Sequence, residues 1–177
     1  MVTTHNRIVG VMGSGTSADD ERCGALGRWL AGEGVHLLTG GGGGVMSAVS
    51  RAFFETEGRT GLVLGVLPAA HAGSGEAPNG YPNGWVEIPI RTHLHLSGAH
   101  GTDLASRNHV NVLSSDVLVA MPGSWGTRSE VELALRYGKP IVAYLQDRSD
   151  IPQLPEGVPV HGSFEQVKAF VRRALGR

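Results

Sequence analysis

Three times in this chain a short apolar run ends in a glycine-rich turn and opens into a segment of helical periodicity. Arg7–Met12 leads through Gly13, Ser14, Gly15, Thr16 and Ser17 into residues 18–32. Val35–Leu38 leads through residues 39–44 into a helix reaching about Glu57, and Val117–Met121 leads through residues 122–126 into a helix that stops at Gly138. The runs do not alternate with polar residues, so each predicts a strand buried on both faces. Such strands alternating with helices define a parallel sheet covered on both sides. Right-handed crossovers put the turns that follow the strands at one sheet edge, where α/β folds bind ligands. The three glycine turns are therefore expected to open on the same side.

The rest of the chain extends this pattern. Gly61–Leu67 reads as a third buried strand, and Trp85–Ile90 as a fourth whose Pro89 places it at an edge. Residues 68–84 between them are rich in Gly, Pro, Asn and Ala, and a structureless stretch this long is a functional loop or a mobile one. A polar loop over 91–101 carries His93, His95 and His100. Thr102–Leu113 is expected as a helix with Leu104, Val110 and Leu113 on its apolar side. Lys139–Leu145, a short strand at 158–160 and a closing helix from Ser163 complete about seven strands. No repeat or linker divides residues 1–177, which predicts one domain.

Composition narrows the function. A 41% hydrophobic, 18% charged chain of 177 residues can bury a full core. A net charge of −1 lacks the basic footprint of a nucleic-acid binder. One cysteine, Cys23, excludes an intrachain disulfide and suits the cytoplasm. Residues Met1–Arg7 show no signal-peptide pattern, and no apolar run approaches the ~18 residues of a membrane span. The eight histidines form no metal motif: His93 and His95 point oppositely if extended, and neither His-Glu-x-x-His nor paired cysteines occur. No metal and no resident cofactor is expected.

The candidate site lies on the turns. The 27 glycines are about twice ordinary usage, roughly 7%, and they gather at strand ends. Gly40–Gly44, five in a row before Val45-Met46, would lose much entropy on ordering and suit close approach to a phosphate. In Pro122-Gly123-Ser124-Trp125-Gly126-Thr127-Arg128-Ser129-Glu130, Gly123 and Gly126 permit a tight turn. Thr127 is an N-cap candidate with Glu130 three residues on, the spacing of a capping box. The following helix is expected to bury Val131, Ala134 and Leu135. A helix start of this kind presents free N–H groups and a positive dipole end to an anion. Glu130 is either a capping partner alone or a carboxylate facing a ligand. Trp125 is either a lid or a packed aromatic.

These residues resemble the LOG (LONELY GUY) family, often mislabelled as lysine decarboxylases. Pro122–Glu130 is similar to its Pro-Gly-Gly-x-Gly-Thr-x-x-Glu signature with Ser124 in place of the second glycine, and Gly40–Met46 is similar to its Gly-Gly-Gly-x-x-Gly-Leu-Met turn. Arg107-Asn108, with Asn111 beyond, resembles the family's Arg-Lys element with Asn108 in the Lys position. The resemblance implies an α/β fold, a Rossmann-like doubly wound parallel sheet with helices on both faces. It implies a phosphoribohydrolase that cleaves the N-glycosidic bond of a nucleoside 5′-monophosphate, with Arg107 and Glu130 catalytic. The same superfamily contains molybdenum cofactor carrier proteins, which gives the alternative of a non-catalytic binder of a nucleotide or pterin phosphate. On either reading the ligand would be held by Gly13, Ser14, Gly41, Gly42, Gly43, Gly44, Met46, Arg107, Asn108, Pro122, Gly123, Ser124, Trp125, Gly126, Thr127 and Glu130. The family also implies a homodimer or higher homo-oligomer.

Overall fold

The computed structural model describes residues 7–177, so the expectation for the N-terminus at Met1–Asn6 lies outside the described residues. Seven strands form one parallel sheet: β1 (Ile8–Met12), β2 (His36–Thr39), β3 (Val63–Leu67), β4 (Ile88–Arg91), β5 (Val117–Ala120), β6 (Ile141–Tyr144) and β7 (Val160–His161). Their order is β4-β3-β2-β1-β5-β6-β7. The chain winds outward from β1 to one edge and then restarts on β1's other side. The switch point therefore lies between β1 and β5, where doubly wound sheets open a ligand crevice. Pro89 sits in edge strand β4, where its missing N–H costs no ladder bond.

The helices are α1 (Asp20–Gly32), α2 (Gly44–Phe54), α3 (Asn108–Ser114), α4 (Trp125–Arg136) and α5 (Phe164–Ala174). Alternate strand residues face opposite layers. Val9, Val11, Val117, Val119 and Met121 pack with Cys23, Leu26 and Leu30 of α1, Val49 and Phe53 of α2, and Val167 and Val171 of α5. Leu118, Ala120, Leu38 and Val66 pack on the other face with Val112, Val131 and Ala134 of α3 and α4. The sheet is thus sandwiched, as its unbroken apolar strands require.

Two helical boundaries differ from the expected ones. Thr102–Arg107 is turn, and α3 occupies only the second half of the expected helix. Leu104 consequently stands 90% exposed, and Leu113 is also exposed. The helix expected from Thr127 begins earlier, at Trp125, with extended Ser124 as N-cap and no side-chain capping bond. The expected capping box therefore does not form. Thr127 instead lies over Gly123, where an added Cβ would stand 2.0 Å from its hydroxyl, and Glu130 is carried into the helix interior. Val131 and Ala134 are buried, whereas Leu135 lies on the exposed side.

Candidate functional site

The three glycine turns meet at the switch point. The Ser14 N–H donates to the Pro122 carbonyl at 2.9 Å, and the Val45 N–H donates to the Ser14 carbonyl at 2.9 Å. Between them opens a cavity of about 290 Å³, near the lower end of the ~300–1,000 Å³ usual for small-molecule sites. Gly13, Ser14, Gly15 and Thr16 line it from the turn after β1, and Ser124, Gly126, Thr127 and Glu130 from the start of α4. Arg107 and Asn108 enter at the start of α3, and Met46 and Tyr81 stand on the β2 side.

Two helix starts near this cavity differ from α1. The N-terminus of α1 is closed by the Asp19 side chain, which accepts from the Arg22 N–H. Neither Gly43 before α2 nor Ser124 before α4 supplies a side-chain cap. The first-turn N–H groups of α4 have no partner within their own helix, and Ser124, Gly126 and Thr127 border the cavity. An anion there gains both hydrogen bonds and the dipole.

The charged residues of the cavity form a buried cluster. Arg107 and Glu130 are 7% and 6% exposed, and their Nη1 and Oε1 atoms stand 3.6 Å apart. Asn111 donates from Nδ2 to the same carboxylate oxygen at 2.9 Å. Among the described residues, Arg107 Nε and Asn111 Oδ1 are buried without a hydrogen-bond partner. Burial drives the Glu130 carboxyl above its ordinary range, and the Arg107 charge and the Asn111 bond only partly oppose this. The guanidinium rests against the end of β2: a Cβ at Gly40 would lie 2.4 Å from Nη1. Gly40 is therefore a seat for Arg107.

The structure brings together nine of the residues singled out in the sequence: Gly13, Ser14, Met46, Arg107, Asn108, Ser124, Gly126, Thr127 and Glu130. Gly41, Gly42, Gly43, Gly44, Pro122, Gly123 and Trp125 do not line the cavity. The glycines at 41–44 form its backing, where Asn83 ties down the carbonyls of Gly41 and Gly42. Pro122 and Gly123 are engaged through backbone bonds to Ser14 and Asp150. Trp125 is 42% exposed beneath the Arg128 guanidinium, so it is not a packed core aromatic.

None of His93, His95 and His100 lines the cavity, and His100 pairs with Asp103 at 3.1 Å. No group of three or more potential metal ligands occurs among the described residues. Met12, Gly15, Thr16, Tyr81, Ser97 and Gly98 also line the cavity and were not among the site residues expected from the sequence. The signal for Tyr81 was the irregular 68–84 segment, in which it is the single aromatic residue.

The parallel strand order and the cavity at the switch point define a Rossmann-like α/β protein. Residues 6–162 match the SLOG cluster4 family, and the chain belongs to it. It is 31% identical over 138 residues to an uncharacterized protein of Archaeoglobus fulgidus, covering 76% of this chain and 78% of that one. Among solved structures it is similar to the molybdenum cofactor binding protein from the phototrophic bacterium Rippkaea orientalis. That match has 32% identity and a TM-score of 0.74, over 98% of this chain and 99% of that one. It is also similar to the Moco carrier protein from Chlamydomonas reinhardtii, with 31% identity and a TM-score of 0.72 over 97% and 99% of the two chains. No helix among the described residues is long and apolar enough to cross a membrane.

Proposed function

We propose that this protein is a non-catalytic carrier of a phosphorylated heterocycle, with the molybdenum cofactor, a pterin phosphate, as cargo. The observation that carries this reading is the uncapped start of α4 facing the same cavity as buried Arg107, whose Nε has no partner among the described residues. Backbone N–H groups and a guanidinium together suit a phosphate. Similarity to two molybdenum cofactor proteins over nearly the whole of all three chains supports the pterin. Gly13, Ser14, Ser124, Gly126, Thr127, Arg107 and Asn108 would hold the ligand, with residues 1–177 acting as one cytoplasmic domain. The exposed Leu104, Leu113, Leu135 and Tyr137 around α3 and α4 support a homodimer or higher homo-oligomer, since burying them would remove apolar surface from water.

A second reading, the phosphoribohydrolase, is favoured by one observation: Glu130 lines the cavity 3.6 Å from Arg107. In that reaction the carboxylate would orient water or stabilise an oxocarbenium-like ribosyl centre, while Arg107 holds the 5′-phosphate. The two readings separate on incubation with a panel of nucleoside 5′-monophosphates followed by chromatography. A carrier returns every nucleotide intact. Catalytic release of free base, abolished by Glu130→Gln, would replace the carrier with the hydrolase.

A further inference from the structure

The cavity has two chemically different walls. On the β5 side lie the α4 start and the turn after β1, lined by backbone and small polar groups. On the β2 side, Met46 and Tyr81 present a thioether and an aromatic ring. Tyr81 comes from the 68–84 segment, and its position is fixed rather than incidental. Two residues on, Asn83 donates from its backbone N–H to the Gly41 carbonyl at 2.7 Å and from Nδ2 to the Gly42 carbonyl at 2.8 Å. Asn83 Oδ1 also accepts from the Trp85 N–H at 3.1 Å, and Trp85 packs on Phe54 of α2 with ring centroids 5.7 Å apart. A side chain at residue 42 would displace this wall. A Cβ there would stand 2.7 Å from the Tyr81 hydroxyl and 2.8 Å from the Met46 methyl. The Tyr81 hydroxyl makes no hydrogen bond among the described residues, so the ring is not held for an internal polar contact.

We infer that Tyr81 and Met46 form a stacking subsite for a flat fused nitrogen heterocycle of purine or pterin size. Tyr81 is then the residue that separates ring-bearing phosphates from simple sugar phosphates. This rests on the phosphate-cradle reading above and adds the wall that takes the other end of the ligand. An aromatic face and a polarisable thioether suit a flat ring without reading its edge.

The test uses GMP and ribose 5-phosphate, which differ by the ring alone. Equilibrium dialysis with chromatographic quantification of intact ligand is run on the wild type, Tyr81→Leu and Tyr81→Phe, each checked for an unchanged melting midpoint. The wild type is expected to prefer GMP. Tyr81→Leu should lose about tenfold or more in GMP affinity with ribose 5-phosphate affinity unchanged, and Tyr81→Phe should retain the preference. Equal affinity of the wild type for the two ligands, or a Tyr81→Leu effect that is absent or equal on both, overturns the stacking subsite and leaves the phosphate cradle standing. Failure of the wild type to bind either ligand overturns the cradle and the subsite together.

Discussion

Arg107 and Glu130 stand 3.6 Å apart in the buried floor of the cavity, yet the hydrogen bond to Glu130 Oε1 comes from Asn111 at 2.9 Å. The ion pair is therefore a charge contact, and Asn111 fixes the carboxylate. This division leaves guanidinium donors available to a ligand while the charge of Arg107 remains compensated. A buried cation without such compensation would cost several kcal/mol.

Gly40 controls this arrangement from a distance in sequence. Gly40→Ala puts a methyl group into the space of the Arg107 guanidinium and should reproduce the binding defect of Arg107→Ala. Loss of one charge-assisted phosphate contact is worth about 1.5–3 kcal/mol, or roughly 10- to 150-fold in affinity. Calorimetric titration with ribose 5-phosphate checks it, and unchanged affinity in Gly40→Ala would contradict the proposed seat.

Glu130 gives the protein a specific pH dependence. Its folded pKa lies above the ordinary value of about 4.5, chiefly through burial, so the native state holds the proton more tightly than the unfolded chain. Its contribution to stability is full below that ordinary value and is lost as pH rises through the folded pKa. Glu130→Gln removes this dependence. The melting-midpoint difference, variant minus wild type, should grow in the variant's favour as pH rises from about 4 toward neutrality. A flat difference would contradict the burial argument.

Cys23 is fully buried, and burial with the nearby Asp19 and Asp20 charges pushes its thiol up to about 11. Native protein at pH 8 should resist a thiol-reactive chromophore, whereas protein in denaturant should release one equivalent. Rapid reaction of the native form would place Cys23 outside the α1 core.

Phosphate should stabilise the fold through the cradle. A ligand at 100 times its dissociation constant adds about 2.7 kcal/mol when it binds only the native state. Raising inorganic phosphate should therefore lift the wild-type melting midpoint and leave that of Arg107→Ala nearly unmoved. Equal shifts in both would indicate a solvent effect.

The repeated strand–turn–helix pattern made the parallel sheet and the convergence of the turns legible in the sequence, because unbroken apolar runs have few other uses. The pairing of Arg107 with Glu130 was legible only through resemblance, since neither spacing nor charge says that two distant residues will meet at 3.6 Å. The capping box failed as an expectation because local spacing at Thr127 and Glu130 competes with the tertiary fit of α4: extended Ser124 starts the helix early, and Glu130 is buried against Asn111. The same early start leaves the helix end open to a ligand. Tyr81 stood out as the aromatic residue of the 68–84 segment, but its place in the cavity wall was not legible, because that depends on Asn83 reaching the carbonyls of Gly41 and Gly42.

Whether the cavity holds its cargo intact can be read by loading the protein. The purified protein is mixed with molybdenum cofactor released from a molybdoenzyme, passed through gel filtration and analysed for molybdenum. Molybdenum should be retained at close to one per chain in the wild type and lost in Arg107→Ala. Wild-type protein that elutes without molybdenum, or retention that survives Arg107→Ala, would contradict the carrier reading.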